Sequence, residues 1–536
     1  MRVTTKVIQK NSINNINTNK VLQDTLNNQM STQKKINRPS DDPVIAIRAL
    51  RLRSNVSQVT QYYEKNIPDA ESWMEITESA LTVVSSVLTD MIEQCTKGSS
   101  EKLTTSDRQT ILDELKQLRD EVYSTGNADY AGRSVFTGYR TETTLKFTAA
   151  ETKTYSITEQ LGSEDLDKIT YVNSANLNNI NEVNFGNAAY SGIVEQDIEE
   201  AEVYRMRLAY SNVDGGSVLP IIKTYDSGNG TFTAFNTVTN TEIISQTATP
   251  NPYDTMKAYE AANETAVAAG NPPEDRYILI PETGELLMTK SAYEKLMLLK
   301  DDVTTATTNE AEIQIEYRKS TWELNDLKPE HYFACTTDPG TPDAVIFNAD
   351  YLQGIHEKQS IEYDVGLNQS IKVNTTADEV FTHNIGRDVD DMITAMQEVT
   401  DMEETVARLS KIAEKYPDPT TTEYQTIHKQ LDAANKGLTY LKEKCQKVFE
   451  GSITKMQNHL NVANYATTNC GTREKKLSLI KNRLMSQKTN FETLQSDNEN
   501  IDLSDVAIEL SGAELTYQAA LMSVSKIMQT SLMNYI

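Results

Sequence analysis

The sequence predicts a mainly α-helical chain with an inserted β-rich domain, and three observations carry that prediction. Residues 1–138 and 385–536 read as helical, with apolar side chains from Ile45 on and in the last helix at alternating three- and four-residue steps, the period of packed helices. Residues 139–370 alternate in short runs broken by Gly, Pro and Asn, as hairpins do. Aromatics supply only 7% of the 536 residues, which suits long helices and thin sheets better than one large core. Ends of one structural type around a middle of another imply that the two ends pack together and the middle is inserted.

The elements follow in order. Between Asn11 and Gln29 stand seven Asn, a poor helix former, and Ile13, Ile16, Val21, Leu22 and Leu26 keep no clean seam. Such a helix is marginal alone and should gain order only against the carboxy-terminal helix or a neighbouring subunit. Asp42-Pro43 starts the next helix, with Asp42 as cap and Pro43 at the first helical position. Its seam is Ile45, Ala49, Leu52, Val56, Val59 and Tyr63. A second seam runs through Trp73, Ile76, Ala80, Val83 and Val87, widened by Leu81, Val84, Leu88 and Met91. A third helix is expected to start near Ser106 with Gln109 completing a capping box, and to bury Ile111, Leu115, Leu118 and Val122.

In the middle, turns are expected at Gly228-Asn229-Gly230 and at Gly284, loops at Asn271-Pro272-Pro273 and Pro339-Gly340, and a short helix at 291–300. Residues 361–374 alternate as a strand pair leading back to helices at 388–415 and from Thr422 onward. In the last helix Leu503, Val506, Leu510, Ala513, Tyr517, Ala520, Val524 and Ile527 fill successive seam positions, widened by Leu521, Met528 and Leu532. So long an apolar stripe invites burial between subunits.

The charge and cysteine content exclude several function classes. The formal net charge is −26, and residues 1–60 carry ten Lys and Arg against three acids, leaving about −33 on the rest. The net charge argues against nucleic acid as the main partner; the basic arm reads as a helix docking onto acidic neighbours, with a nucleic-acid arm as the other reading. Cys95, Cys335, Cys445 and Cys470 form no CxxC pair, so neither a zinc site nor a disulfide framework is expected. The opening MRVTTKVIQKNSINN has no apolar signal core, and no stretch approaches the roughly 20 apolar residues that cross a bilayer. Composition alone reads as cytoplasmic, without membrane insertion.

STQKKINRPSDDPVIAIRALRLRSNV (31–56) resembles the flagellin superfamily, in its hook-associated protein 3 branch. Flagellins themselves usually read Ser-Ala-Lys-Asp-Asp-Ala there. Here Arg38-Pro39-Ser40-Asp41-Asp42-Pro43 has the paired prolines of the junction branch. The opening MRVTT, residues 107–139 with Asn127, Gly132, Phe136 and Gly138, GTREKKL (471–477) and the ending 502–536 are similar to it too. Gln33 stands where the family commonly has Gly, implying a different turn after the first helix.

The resemblance implies a nested architecture. Coiled-coil helices at 1–40 and 495–536 would flank rod segments at 41–138 and 371–494, with a variable β-rich domain at 139–370. It implies a structural protein joining hook to filament, exported without a cleaved signal to the flagellum outside the cell. Its partners would be copies of itself in a ring or tube, the preceding junction protein, flagellin and an export chaperone. The residues expected to carry assembly are Leu503, Val506, Leu510, Ala513, Tyr517, Ala520, Leu521, Val524, Ile527 and Leu532. The turn and cap are Arg38 to Pro43, and the rod core includes Ile45, Leu52, Val59, Trp73, Ile76 and Leu115.

Catalytic readings are weak. His356-Glu357-Lys358-Gln359-Ser360 has Ser360 where a zinc protease needs its second His, and one His cannot hold a catalytic zinc. His331, His383, His428 and His459 are isolated, and capping explains Asp41-Asp42 better than metal binding does. No enzyme activity, metal or cofactor is expected. A filament flagellin is the nearest alternative, and a glycan-binding insert at 139–370 is a different class of function.

Overall fold

The computed structural model describes residues 5–100, 102–162, 165–174, 176–215, 221–226, 231–234, 241–302, 313–353 and 359–529. Its helices are α1 (Thr5–Thr32), α2 (Pro43–Gln61), α3 (Ile67–Gly98), α4 (Thr105–Thr125), α5 (Pro252–Ala268), α6 (Lys290–Asp302), α7 (His383–Ala413), α8 (Thr422–Glu499) and α9 (Leu503–Gln529). Its strands are β1 (Asp129–Tyr130), β2 (Arg133–Ser134), β3 (Glu151–Leu161), β4 (Leu166–Val172), β5 (Glu200–Arg207), β6 (Ile221–Asp226), β7 (Thr231–Ala234) and β8 (Thr241–Ile243). They continue with β9 (Tyr277–Ile280), β10 (Glu285–Met288), β11 (Ile313–Trp322), β12 (Ala334–Thr337), β13 (Val345–Phe347), β14 (Glu362–Gly366) and β15 (Gln369–Lys372). The architecture is mainly α with an inserted β-rich segment.

The chain forms two compact units. One comprises residues 1–71, 362–371 and 473–536; the other comprises 72–361 and 372–472. The β-rich segment and the helices from α3 to α7 therefore share a compact unit, along with much of α8.

In this larger unit α3 buries Trp73, Met74, Thr77, Ala80, Leu81, Val84, Leu88, Met91 and Cys95. The buried face is rotated from the expected seam: Val83 is 41% exposed and Ile76 half-buried, whereas Leu81, Val84 and Leu88 lie at the centre. The supposed flank is the axis because neighbours approach α3 from more than one side. Gly98 shows how close they come, since a Cβ there would stand 2.3 Å from the Phe449 ring of α8. Helix α4 starts earlier than expected. Thr104 caps it and Asp107 returns the bond, while Gln109 turns instead to Asp113. Its Leu115 and Val122 are fully buried, and Leu118 is half-buried. The Tyr123 hydroxyl accepts from Gly386 N at 2.8 Å and donates to the Thr382 carbonyl at 3.0 Å, pinning α4 to the start of α7.

The β-rich segment is two sheets. One has order β13-β12-β3-β11-β6-β7; the other, β4-β5-β10-β9-β8, is antiparallel except for the parallel β8–β9 pair. Their shared core holds Tyr155, Ile157, Tyr204, Met206, Leu286, Met288, Ile315, Tyr317 and Trp322. Alternation sends Val203, Arg205 and Arg207 of β5 to the opposite face. There α5, unforeseen in the sequence, packs Met256 against Val203, Ile278, Ile280 and Leu287. The turn at Gly284 is as expected. Its φ is +64°, and a Cβ would lie 2.0 Å from the Tyr210 carbonyl oxygen, so only glycine fits. The Gly228-Asn229-Gly230 turn lies outside the described residues, though its flanking strands β6 and β7 pair antiparallel.

Charge joins the sheet to the helices in this unit. Arg205 reaches Glu285 of β10 and, at 2.6 Å, Asp391 of α7. Arg207 binds Asp391 at 3.0 Å and Asp388 at 2.9 Å, and Lys455 and His459 of α8 each approach Asp388 at 3.0 Å. Burial alone would raise the Asp388 pKa. The His459 hydrogen bond, Arg207 and Lys455 together outweigh that and hold it well below the usual carboxylate range. A cavity of about 510 Å³ lies beside this network, between the outer sheet face and α7 and α8.

Candidate assembly site

The smaller unit holds both chain ends. Helix α1 lies along α9, and Leu26, Val506 and Ala513 form their buried core with Ile501 and Leu510 against it. Part of the expected intersubunit seam is therefore covered within the chain. Tyr517, Ala520 and Val524 are half-buried on the same face, whereas Leu503 and Leu521 are exposed at 47% and 43%. The side chain of Ile527 and all of Leu532 lie outside the described residues, as does the MRVT opening.

A joint closes this helix pair. Gln33 has φ +57°, a left-handed conformation that costs a residue with a Cβ more than it costs glycine. Its carbonyl accepts from Ile501 N at 3.3 Å, and Lys35 N donates to the Glu499 carbonyl at 2.8 Å. The linkers after α1 and before α9 thus pair like two short strands. Glu499 is 5% exposed and accepts both Arg53 donors at 2.7 Å, with Lys34 at 3.5 Å. The Arg53 hydrogen bonds hold its pKa below the ordinary value, against the effect of burial. The Lys35 ammonium caps the Asp497 carbonyl, and the Asn498 side-chain amide donates to the Ile45 carbonyl at 3.2 Å.

The signature turn sits beside this joint. Asp41 accepts from Asn37 N and Arg38 N at 3.1 and 2.8 Å, and Asp42 accepts from Val44 N and Ile45 N at 2.9 and 3.2 Å. Pro43 takes the first helical position, and Arg38, Pro39 and Ser40 are exposed. Asp42 thus caps α2, and Asp41 closes the turn before it. In α2 Val59 is buried, with Ile45 and Leu52 half-buried. A π turn at Tyr62–Asn66 joins α2 to α3. It absorbs Pro68, which has no N–H for the ladder.

Sequence reasoning missed Glu499 and Arg53, because an isolated acid and base 446 residues apart carry no periodic signal. It also missed the Arg205 and Arg207 clamp on Asp388 and Asp391. The histidines serve packing and polar roles. Burial lowers His331 to about 4 and His383 to about 3, His428 lies against Tyr424, and His459 binds Asp388. His356, Glu357 and Lys358 lie outside the described residues, while Gln359 accepts from Tyr139 N at 3.0 Å. Among the described residues no three His, Cys, Asp or Glu gather as a metal site, and no helix is long and apolar enough to cross a membrane.

Residues 3–141 match the model of the bacterial flagellin N-terminal helical region. The amino-terminal region is of the flagellin type. Over 143 residues the chain is 29% identical to flagellar hook-associated protein 3 of Salmonella typhimurium, covering 26% of this chain and 45% of that protein. Over 144 residues it is 30% identical to the protein of the same name in Escherichia coli, covering 27% and 45%. The chain thus spans about half the length of the curated relatives it matches. The crystal structure of Xanthomonas campestris FlgL aligns over 82% of this chain and 98% of that one, at 11% identity and a TM-score of 0.26.

Proposed function

We propose that this chain is a structural subunit of the bacterial flagellum that joins the hook to the filament. The flagellin-type region at 3–141, together with 29% and 30% identity over 143 and 144 residues to two hook-associated proteins 3, carries the reading. The pairing of α1 with α9 supports it, because a helix pair made from both chain ends can enter a tubular lattice as one element. The work is mechanical: subunits repack helices against unlike neighbours on the hook and filament sides. Its partners are copies of itself, the preceding junction protein and flagellin, with an export chaperone before assembly. The protein acts outside the cell, and no step of this role needs catalysis or a cofactor.

Deleting the gene in the source cell tests the role. Hooks without filaments, with flagellin released into the medium and filaments restored by the full chain, are the expected outcome. Filaments of normal length and number in the deletion strain would overturn it.

A further inference from the structure

Helix α9 carries a second apolar seam that α1 does not cover. Ile508, Gly512, Leu515, Ala519 and Met522 follow one another at steps of four, three, four and three residues, on a face distinct from Val506, Leu510 and Ala513. All five are exposed, and Ile508, Leu515 and Met522 are open at 71%, 70% and 63%. Gly512 is the informative member. A glycine inside a helix weakens it, yet a Cβ at this position would meet nothing within 4 Å. Among the described residues nothing needs the missing side chain. A helix approaching from outside would, since small residues let backbones come close.

The charges nearby indicate which helix. The acids of α9 are Asp505, Glu509 and Glu514, all in its first half, and the only base among its described residues is Lys526. Helix α2 is the opposite, with Arg48, Arg51 and Arg53 and no acid. Its outer side also exposes Val44, Ile47 and Leu50 at 61%, 52% and 63%. Arg53 is held by Glu499, which leaves Arg48 and Arg51 beside this apolar patch.

We propose that the Ile508–Met522 seam receives the Val44–Leu50 face of α2 from a second copy of this chain, antiparallel with Ile47 opposite Leu515, so that Arg48 and Arg51 turn toward the acidic first half of α9. The two faces are different, so the contact is head-to-tail and extends into a ring or tube, not a closed pair. This rests on the axial-subunit reading and names the surface it uses.

All four native cysteines are buried and none forms a disulfide, so introduced cysteines can report the contact selectively. The full-length Ile47→Cys and Leu515→Cys proteins are mixed at about 1 mM under mild oxidation. A disulfide-linked dimer from the mixture, at least tenfold more abundant than from either protein alone, is expected. Adding Gly512→Leu to the Leu515→Cys protein should abolish it without lowering the melting temperature, because the larger side chain has room in the monomer. Absence of the mixed dimer, or its persistence with Gly512→Leu, would overturn the interface. A deletion strain that lacks filaments while the mixture stays unlinked would reject this surface and leave the junction role standing.

Discussion

Helices α3 and α9 look alike on paper and fare differently in the molecule. Both carry long apolar seams at coiled-coil spacing. Helix α3 buries Trp73, Met74, Leu81, Val84, Leu88 and Met91 to 1% exposure or less. Among its described residues α9 buries only Val506 and Ala513, and leaves Ile508, Leu515 and Met522 open. The first seam is core of its unit; the second, among the described residues, stays largely open. Periodicity reports that a helix has an apolar face, and the supply of covering chain decides whether that face is covered.

The sharpest break of this comparison is a pair of truncations. Trp73→Ala should destabilise the folded chain by about 3–5 kcal/mol, whereas Leu515→Ala should change it by no more than about 0.5 kcal/mol. Denaturant unfolding of the full chain, followed by circular dichroism, measures both. Equal losses would mean that α9 is as much core as α3.

The unit around α3 should also respond to acid. His331 is buried and His383 half-buried, and desolvation lowers their pKa values to about 4 and 3, so both are neutral near pH 7. Each contributes stability that is present above the unfolded value of about 6.5 and is lost as pH falls through the folded one, about 3 kcal/mol for His331. Asp388 adds a further loss below about pH 4, since its folded pKa is also lowered. Glu159 works in the other direction. Burial raises it to about 7, so its contribution is present below its unfolded value of about 4.3 and lost as pH rises through 7. Unfolding midpoints measured from pH 7 to 4 should fall, and His383→Phe, placed among Tyr210, Tyr332 and Phe333, should flatten the curve. An unchanged slope in that variant would remove His383 from the explanation.

The smallest effect concerns the joint of the terminal pair. Gln33→Gly should stabilise the chain by about 1 kcal/mol, because glycine holds φ +57° without a Cβ clash. A loss of stability would show that the Gln33 side chain contributes more than its backbone strain costs.

Much of the fold was legible because periodicity and turn chemistry are local. The Asp42-Pro43 cap, the Gly284 hairpin and the break between α7 and α8 each write their cause within a few residues. What stayed hidden was relational. The rotation of α3's buried face depends on where α8 brings Phe449, and the Thr104–Asp107 cap competed with an equally plausible box two residues later. The Glu499 joint and the clamp of Arg205 and Arg207 on Asp388 and Asp391 pair charges from distant segments. The apolar stripe of α9 and a packing of α1 against it were both legible, but not that α1 would leave the Ile508–Met522 side open.

Immunogold electron microscopy of flagella from the source cell, with antibody raised against residues 139–370, tests the central claim most directly. The expected result is a single band of label where hook meets filament. Label along the whole filament would contradict it and make this chain a filament subunit.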